Sequence, residues 1–124
     1  MIGYVTLGTN DLPRAAKFYD AICGELGVGR MFDTESFIAW GKPGPEAGIG
    51  LTKPYDGAAA TVGNGVMVAL AAKNPEQVDR IYNLAISMGA KCEGKPGPRP
   101  GIPGFYAGYF RDPDGNKLNA FHMG

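Results

Sequence analysis

YVTLGTNDLPRAAKFYDAICGELG at residues 4–27 and MVALAAKNPEQVDRIYNLAISMGA at residues 67–90 are two copies of one pattern, offset by 63 positions. Val5 falls opposite Val68, Leu7 opposite Leu70, Tyr19 opposite Tyr82, and Asp11 opposite Asn74. A repeat of this length organises the whole chain. Each copy opens with apolar and small residues alternating at period two, the pattern of a short strand. A helix follows. Leu12, Ala15, Tyr19, Ile22 and Leu26 form one apolar stripe, and Val78, Ile81, Ala85 and Met88 form the other, at three- and four-residue steps. Asp11 and Asn74 suit the helix N-caps. Pro13 and Pro75 stand where a missing N–H costs little, and Gly27 and Gly89 stand just past the helix ends.

Working outward, three strands are expected after each helix: about 28–33, 36–41 and 47–52 in the first half, about 90–93, 104–110 and 116–122 in the second. FDTES is a plausible tight connection in the first half, and RDPDGN at 111–116 is a stronger hairpin signal because Asp-Gly supplies the turn. The fold class read from this order is α+β, a β-α-β-β-β module used twice (about 1–56 and 63–124) within a single domain of residues 1–124. Glycine and proline cluster at 41–65 and 94–104, which reads as long connecting loops.

Composition narrows the function classes. Twelve basic residues balance twelve acidic ones, so no electrostatic footprint for nucleic acid or anionic lipid is expected. No apolar run approaches a membrane span of roughly 20 residues, and MIGYVTLGTND lacks the layout of a signal peptide. The expected compartment is the cytoplasm. Cys23 and Cys92 match no zinc or redox spacing. Free thiols are expected in a reducing cytosol, a disulfide between them being the alternative.

Three stretches carry a family resemblance: VTLGTNDLPRAAKFYDAI, GNGVMVALAAKNPEQVDRIY, and PGPRPGIPGFYAGYFRDPDGNKLNAF. In order and spacing they resemble the vicinal oxygen chelate superfamily, the glyoxalase/bleomycin-resistance/dioxygenase proteins. The resemblance implies that the two modules form a curved mixed sheet with a concave face and helices outside. It also implies a homodimer.

Metal-dependent relatives set one ligand on each of several strands of the concave face. At the corresponding positions this chain has Tyr4, Met67 and Asn119, with Gly50 near a fourth. Zinc, iron or nickel sites want imidazole and carboxylate donors, so no metal and no other cofactor is expected. His122, the only histidine, should face away from Asn119 by strand alternation. Asp112 and Asp114 read as turn residues, and Cys23 as a packed thiol. No catalytic residue can be assigned.

The candidate ligand-binding residues are Tyr4, Met67, Arg99, Tyr109 and Asn119. Arg99, in GKPGPRPGIPG, resembles an arginine that relatives carry in this loop; it is either a clamp for a carboxylate or phosphate or a solvated surface arginine. Tyr109 should share a face with Asn119 if the hairpin pairs symmetrically about its turn, with Tyr106 facing the other way. Trp40 and Phe37 are assigned to core packing. Three functions follow. The first is a metal-free small-molecule binding protein, and the second a glyoxalase-type lyase or isomerase. The third is a non-catalytic interaction protein whose pocket is filled.

Overall fold

A computed structural model describes all 124 residues. The chain divides into two compact units, Met1–Val62 and Gly63–Gly124. In the first unit β1 (Tyr4–Gly8) leads into α1 (Leu12–Glu25), followed by β2 (Arg30–Asp33), β3 (Phe37–Trp40) and β4 (Gly48–Thr52). The second unit repeats the order with β5 (Val68–Ala71), α2 (Pro75–Ser87), β6 (Lys91–Pro98), β7 (Phe105–Arg111) and β8 (Lys117–Met123). Each unit has its own four-stranded mixed sheet, in the orders β1-β4-β3-β2 and β5-β8-β7-β6. The first strand of each pairs in parallel with the fourth, and the other pairings are antiparallel. This is the doubled β-α-β-β-β pattern expected from the repeat.

The helix ends form as their sequences direct. The Asp11 side chain accepts the Arg14 N–H at 3.1 Å, and the Asn74 side chain accepts that of Gln77 at 2.8 Å. Gly27 and Gly89 adopt φ of 73° and 97° just past the helices, a conformation that penalises a Cβ.

One face of each sheet packs on its helix. Leu12, Ala15, Tyr19 and Ile22 of α1 are buried with Ile38, Trp40, Ile49 and Leu51, while Val78, Ile81 and Ala85 of α2 are buried with Phe110, Leu118 and Ala120. Met88 is not part of that stripe; it caps the C-terminus of α2 and is exposed. Trp40, 1% exposed, donates its indole N–H to Asp20 on α1 at 2.8 Å. Asp20 also receives two hydrogen bonds from Arg30, at 2.9 and 2.8 Å. These bonds, Arg30 first and Trp40 next, hold the Asp20 carboxyl below its ordinary pKa of 3.8 against the opposing effect of burial.

The DPDGN turn is tied at both backbone ends. Asp112 N–H donates to the Asn116 carbonyl at 2.8 Å, and the Gly115 N–H to the Asp112 carbonyl at 2.8 Å. The Asp112 side chain accepts the N–H groups of Asp114 and Asn116, each at 2.9 Å. A hairpin so anchored pairs β7 and β8 without a slip from Arg111↔Lys117 to Phe105↔Met123.

Both cysteines are free thiols, Cys23 buried and Cys92 exposed. Burial pushes the Cys23 thiol up to about 12, where the reactive thiolate is scarce. A thiol-selective disulfide reagent should therefore titrate Cys92 alone in the folded protein and both cysteines in denaturant. Rapid native labelling of two thiols would contradict this burial.

Candidate functional site

The face of each sheet turned away from its helix holds the expected site positions. In the first unit Tyr4 pairs with Gly48, and Gly50 lies between Thr6 and Ala39. Tyr4 is 60% exposed and meets Phe37 edge-on at 6.3 Å between ring centroids. Phe37 in turn meets Phe32 at 6.2 Å. Phe37 thus belongs to this open face, and the assignment of both Phe37 and Trp40 to the core holds for Trp40 only. The two residues are three apart on one strand, so their side chains point to opposite faces.

The Phe37 ring also explains Gly50. A Cβ built there would lie 2.7 Å from Phe37 Cε1 and 2.8 Å from Cζ, closer than real side chains pack. The space into which a ligand-bearing side chain would project at this position is filled by an aromatic ring.

In the second unit Asn119 is the counterpart of Gly50. It lies between Ala69 of β5 and Tyr109 of β7, as Gly50 lies between Thr6 and Ala39. Tyr109 and Asn119 are direct cross-strand partners, as the symmetric hairpin requires. The neighbouring alternate positions face the helix: the Tyr106 hydroxyl donates to Asp79 of α2 at 2.7 Å. This hydrogen bond to a carboxylate raises the Tyr106 pKa. His122 lies opposite Tyr106, with Nδ1 3.2 Å from the Ala72 carbonyl. It therefore stands on the other face from Asn119.

Arg99 is placed differently from a solvated loop residue. β6 runs on to Pro98 instead of ending near residue 93, so Arg99 directly follows a strand. Its Nη2 donates to the carbonyls of Lys95 at 2.7 Å and Ala107 at 2.6 Å. The guanidinium carbon then lies 5.0 Å from the centroid of the Tyr109 ring, within the range of a cation–π contact. Lys117 Nζ approaches the same ring at 5.7 Å. Arg99, Tyr109 and Asn119 are therefore brought together in the second unit. Met67 lies just before β5 and is 41% exposed. Tyr4 belongs to the first unit, among Phe37 and Gly48.

Two polar atoms of this cluster are buried without a hydrogen-bond partner: Oδ1 of Asn119, a residue only 2% exposed, and Nε of Arg99. Buried polar groups are paired as a rule, so an orphaned acceptor and an orphaned donor beside one tyrosine are unusual. Sequence reading singled out these residues but not the pinning of Arg99, because its acceptors are backbone carbonyls.

A phenol, a thioether, an amide and a glycine do not fit a divalent transition-metal site. No group of three or more His, Cys, Asp or Glu side chains is placed to hold an ion. An open groove of about 500 Å³ runs beside α1, lined in part by Leu12, Lys17, Ile38 and Lys53, and includes none of the expected site residues.

A sequence profile of the Glyoxalase/Bleomycin resistance protein/Dioxygenase superfamily matches residues 1–120. The chain belongs to this superfamily. A crystal structure of a glyoxalase/bleomycin resistance protein from Albidiferax ferrireducens T118 is 40% identical, with a TM-score of 0.90 over 100% of this chain and 99% of that one. A glyoxalase/bleomycin resistance protein/dioxygenase family enzyme from Burkholderia phytofirmans PsJN shares the fold at 17% identity, TM-score 0.78, over 98% of this chain and 97% of that one. Lactoylglutathione lyase from Agrobacterium tumefaciens does so at 19% identity, TM-score 0.70, over 98% and 92%. No curated protein matches the sequence. No helix is long and apolar enough to cross a membrane.

Proposed function

We propose that this superfamily member is a cytoplasmic, homodimeric small-molecule binding protein that works without a resident metal or other cofactor. The observation that carries the reading is the buried, unpartnered Asn119 carbonyl beside Tyr109 and Arg99. An acceptor left unmet in a folded protein costs about 1–3 kcal/mol, and a ligand N–H or O–H at this point offsets that cost. Tyr109 offers a ring and a hydroxyl, and Met67 an adaptable apolar contact. Tyr4 offers a phenol on the open face of the first unit, taken by itself. A glyoxalase-type lyase would need an electrophile at the reacting oxygens and a base near the reacting carbon. Tyr4, Gly50, Met67 and Asn119 supply neither.

Native mass spectrometry of the purified protein tests metal content, bound small molecules and subunit number together. A dimer mass without a stoichiometric ion is expected; one zinc, nickel, iron or manganese per chain would reverse the reading. Replacing Asn119 by alanine removes an acceptor that has no partner within the protein. It should leave the urea midpoint nearly unchanged while weakening ligand binding by about 1–2 kcal/mol, the scale of one lost hydrogen bond. A marked loss of stability would instead identify Asn119 as structural filler and favour a vestigial pocket.

A further inference from the structure

The face of the second unit turned away from α2 is more specific than a generic apolar surface. In a chain with equal numbers of acidic and basic residues, Arg99 lies over Tyr109, and Arg111, Lys117 and Lys91 act on a single carboxylate, Glu93. Glu93 is bound by Arg111 Nε at 2.8 Å. Arg99 has no carboxylate partner, Lys117 shares Glu93 with Arg111 only through longer-range attraction, and both cations sit over the Tyr109 ring. Lys117 and Asn119 are two apart on β8 and share a face, so the cations border the unpartnered amide. Phe105 and Phe121 are stacked at 5.8 Å between centroids, at alternate positions from Tyr109 and Asn119 on the same face. Cations, an orphaned acceptor and an aromatic pair thus lie along one strand pair.

We infer that the ligand of this site is a small carboxylate with an apolar body and a hydrogen-bond donor next to the carboxylate, its anion set against Arg99 and Lys117 and its donor against Asn119 Oδ1. This rests on the small-molecule reading above and adds the ligand class. The pinned Nη2 of Arg99 fixes the guanidinium before binding, so little side-chain freedom is lost when an anion arrives. Lys117 is a mobile point charge that can swing toward the anion. The apolar body rests on Phe105 and Phe121. A cationic ligand would meet two like charges, and a neutral one would leave them unused.

Four probes of matched body separate the possibilities in titration calorimetry: 3-phenyllactate, hydrocinnamate, 3-phenyl-1,2-propanediol and phenylalaninol. Phenyllactate should bind most tightly, hydrocinnamate less tightly for want of the hydroxyl donor, the diol weakly, and the amine not at all. Arg99→Gln should weaken phenyllactate about tenfold or more, the scale of one charge-assisted hydrogen bond, and leave the diol unchanged. Arg99 also ties Lys95 to Ala107, so its replacement risks the fold. Lys117→Gln bears no such tie and should weaken the two carboxylates several-fold while sparing the diol. Asn119→Ala should bring phenyllactate down to hydrocinnamate. Binding of the diol or phenylalaninol as tight as that of phenyllactate would overturn the ligand class alone. So would carboxylate binding indifferent to both Lys117→Gln and added salt. Failure of all four probes to bind at millimolar concentration would overturn the small-molecule reading together with it.

Discussion

Gly50→Glu, which puts a carboxylate near the place where the family resemblance sets a fourth ligand, is expected to destabilise the first unit by about 3 kcal/mol, the upper end of the usual cost of overpacking. The new Cβ would fall 2.7 Å from the Phe37 ring, and Gly50 is held between Thr6 and Ala39 on a strand paired on both sides. Displacing the ring would break its edge contacts with both Tyr4 and Phe32. Phe37→Ala in the same chain should recover a large part of the loss, giving a coupling well above the few tenths expected of independent sites. Urea denaturation of wild type, both single variants and the double variant measures this. A Gly50→Glu protein as stable as wild type, or a strictly additive double variant, would show that the ring does not hold that space. A carboxylate at residue 50 would therefore need Phe37 removed to find room on this face.

Asp20→Ala is expected to destabilise the helix side of the first unit by about 1–3 kcal/mol. It leaves the indole N–H of the buried Trp40 without its acceptor and Arg30 with Asp33 as its remaining ion-pair partner. Asp20→Asn keeps an acceptor for the indole and should cost less. Trp40 is the chain's one tryptophan, so its fluorescence reports the change directly. The pH dependence has a definite sign. The folded Asp20 carboxyl titrates below its ordinary 3.8, so its contribution is complete above that value and is lost as the pH falls through the lower folded value. Wild type should lose this part of its stability only in acid, and Asp20→Ala should lack that part of the acid slope. Equal acid slopes in the two proteins would contradict the assignment. Because Asp20 and Arg30 are partly exposed, the ion pair itself contributes modestly, and most of the expected cost lies in the orphaned indole.

The repeat, the helix caps and the β7–β8 register were legible because their signals are local. Asp11 and Asn74 stand at helix starts, and Asp-Gly fixes a turn whose symmetry then pairs Tyr109 with Asn119. What escaped has physical reasons too. Lys95-Pro96-Gly97-Pro98 does not read as strand, since proline cannot donate to a ladder and glycine adds no packing. β6 carries it because it is an edge strand with two irregularities in its pairing to β7. The pinning of Arg99 followed from that extension and was equally hidden. The two faces of β3 were readable in principle from the odd spacing of Phe37 and Trp40, but treating both as core by residue type concealed the ring over Gly50. The orphaned Asn119 carbonyl needed coordinates, because an unmet hydrogen bond leaves no mark in a sequence.

The strand orders carry a consequence for how the protein is made. In both sheets the last strand of the unit, β4 or β8, is inserted between the first strand and the hairpin. On the ribosome, β1 and α1 therefore emerge with no sheet to join. The β2–β3 hairpin can form, but the parallel partner of β1 arrives only with Gly48–Thr52. The second unit waits in the same way for Lys117–Met123. Until then the backbone amides of the first strand and the apolar stripe of the helix stay open together, the combination that invites aggregation and chaperone capture. Each unit closes in one late step, and the strand that closes it also brings the Gly50 or Asn119 position into place.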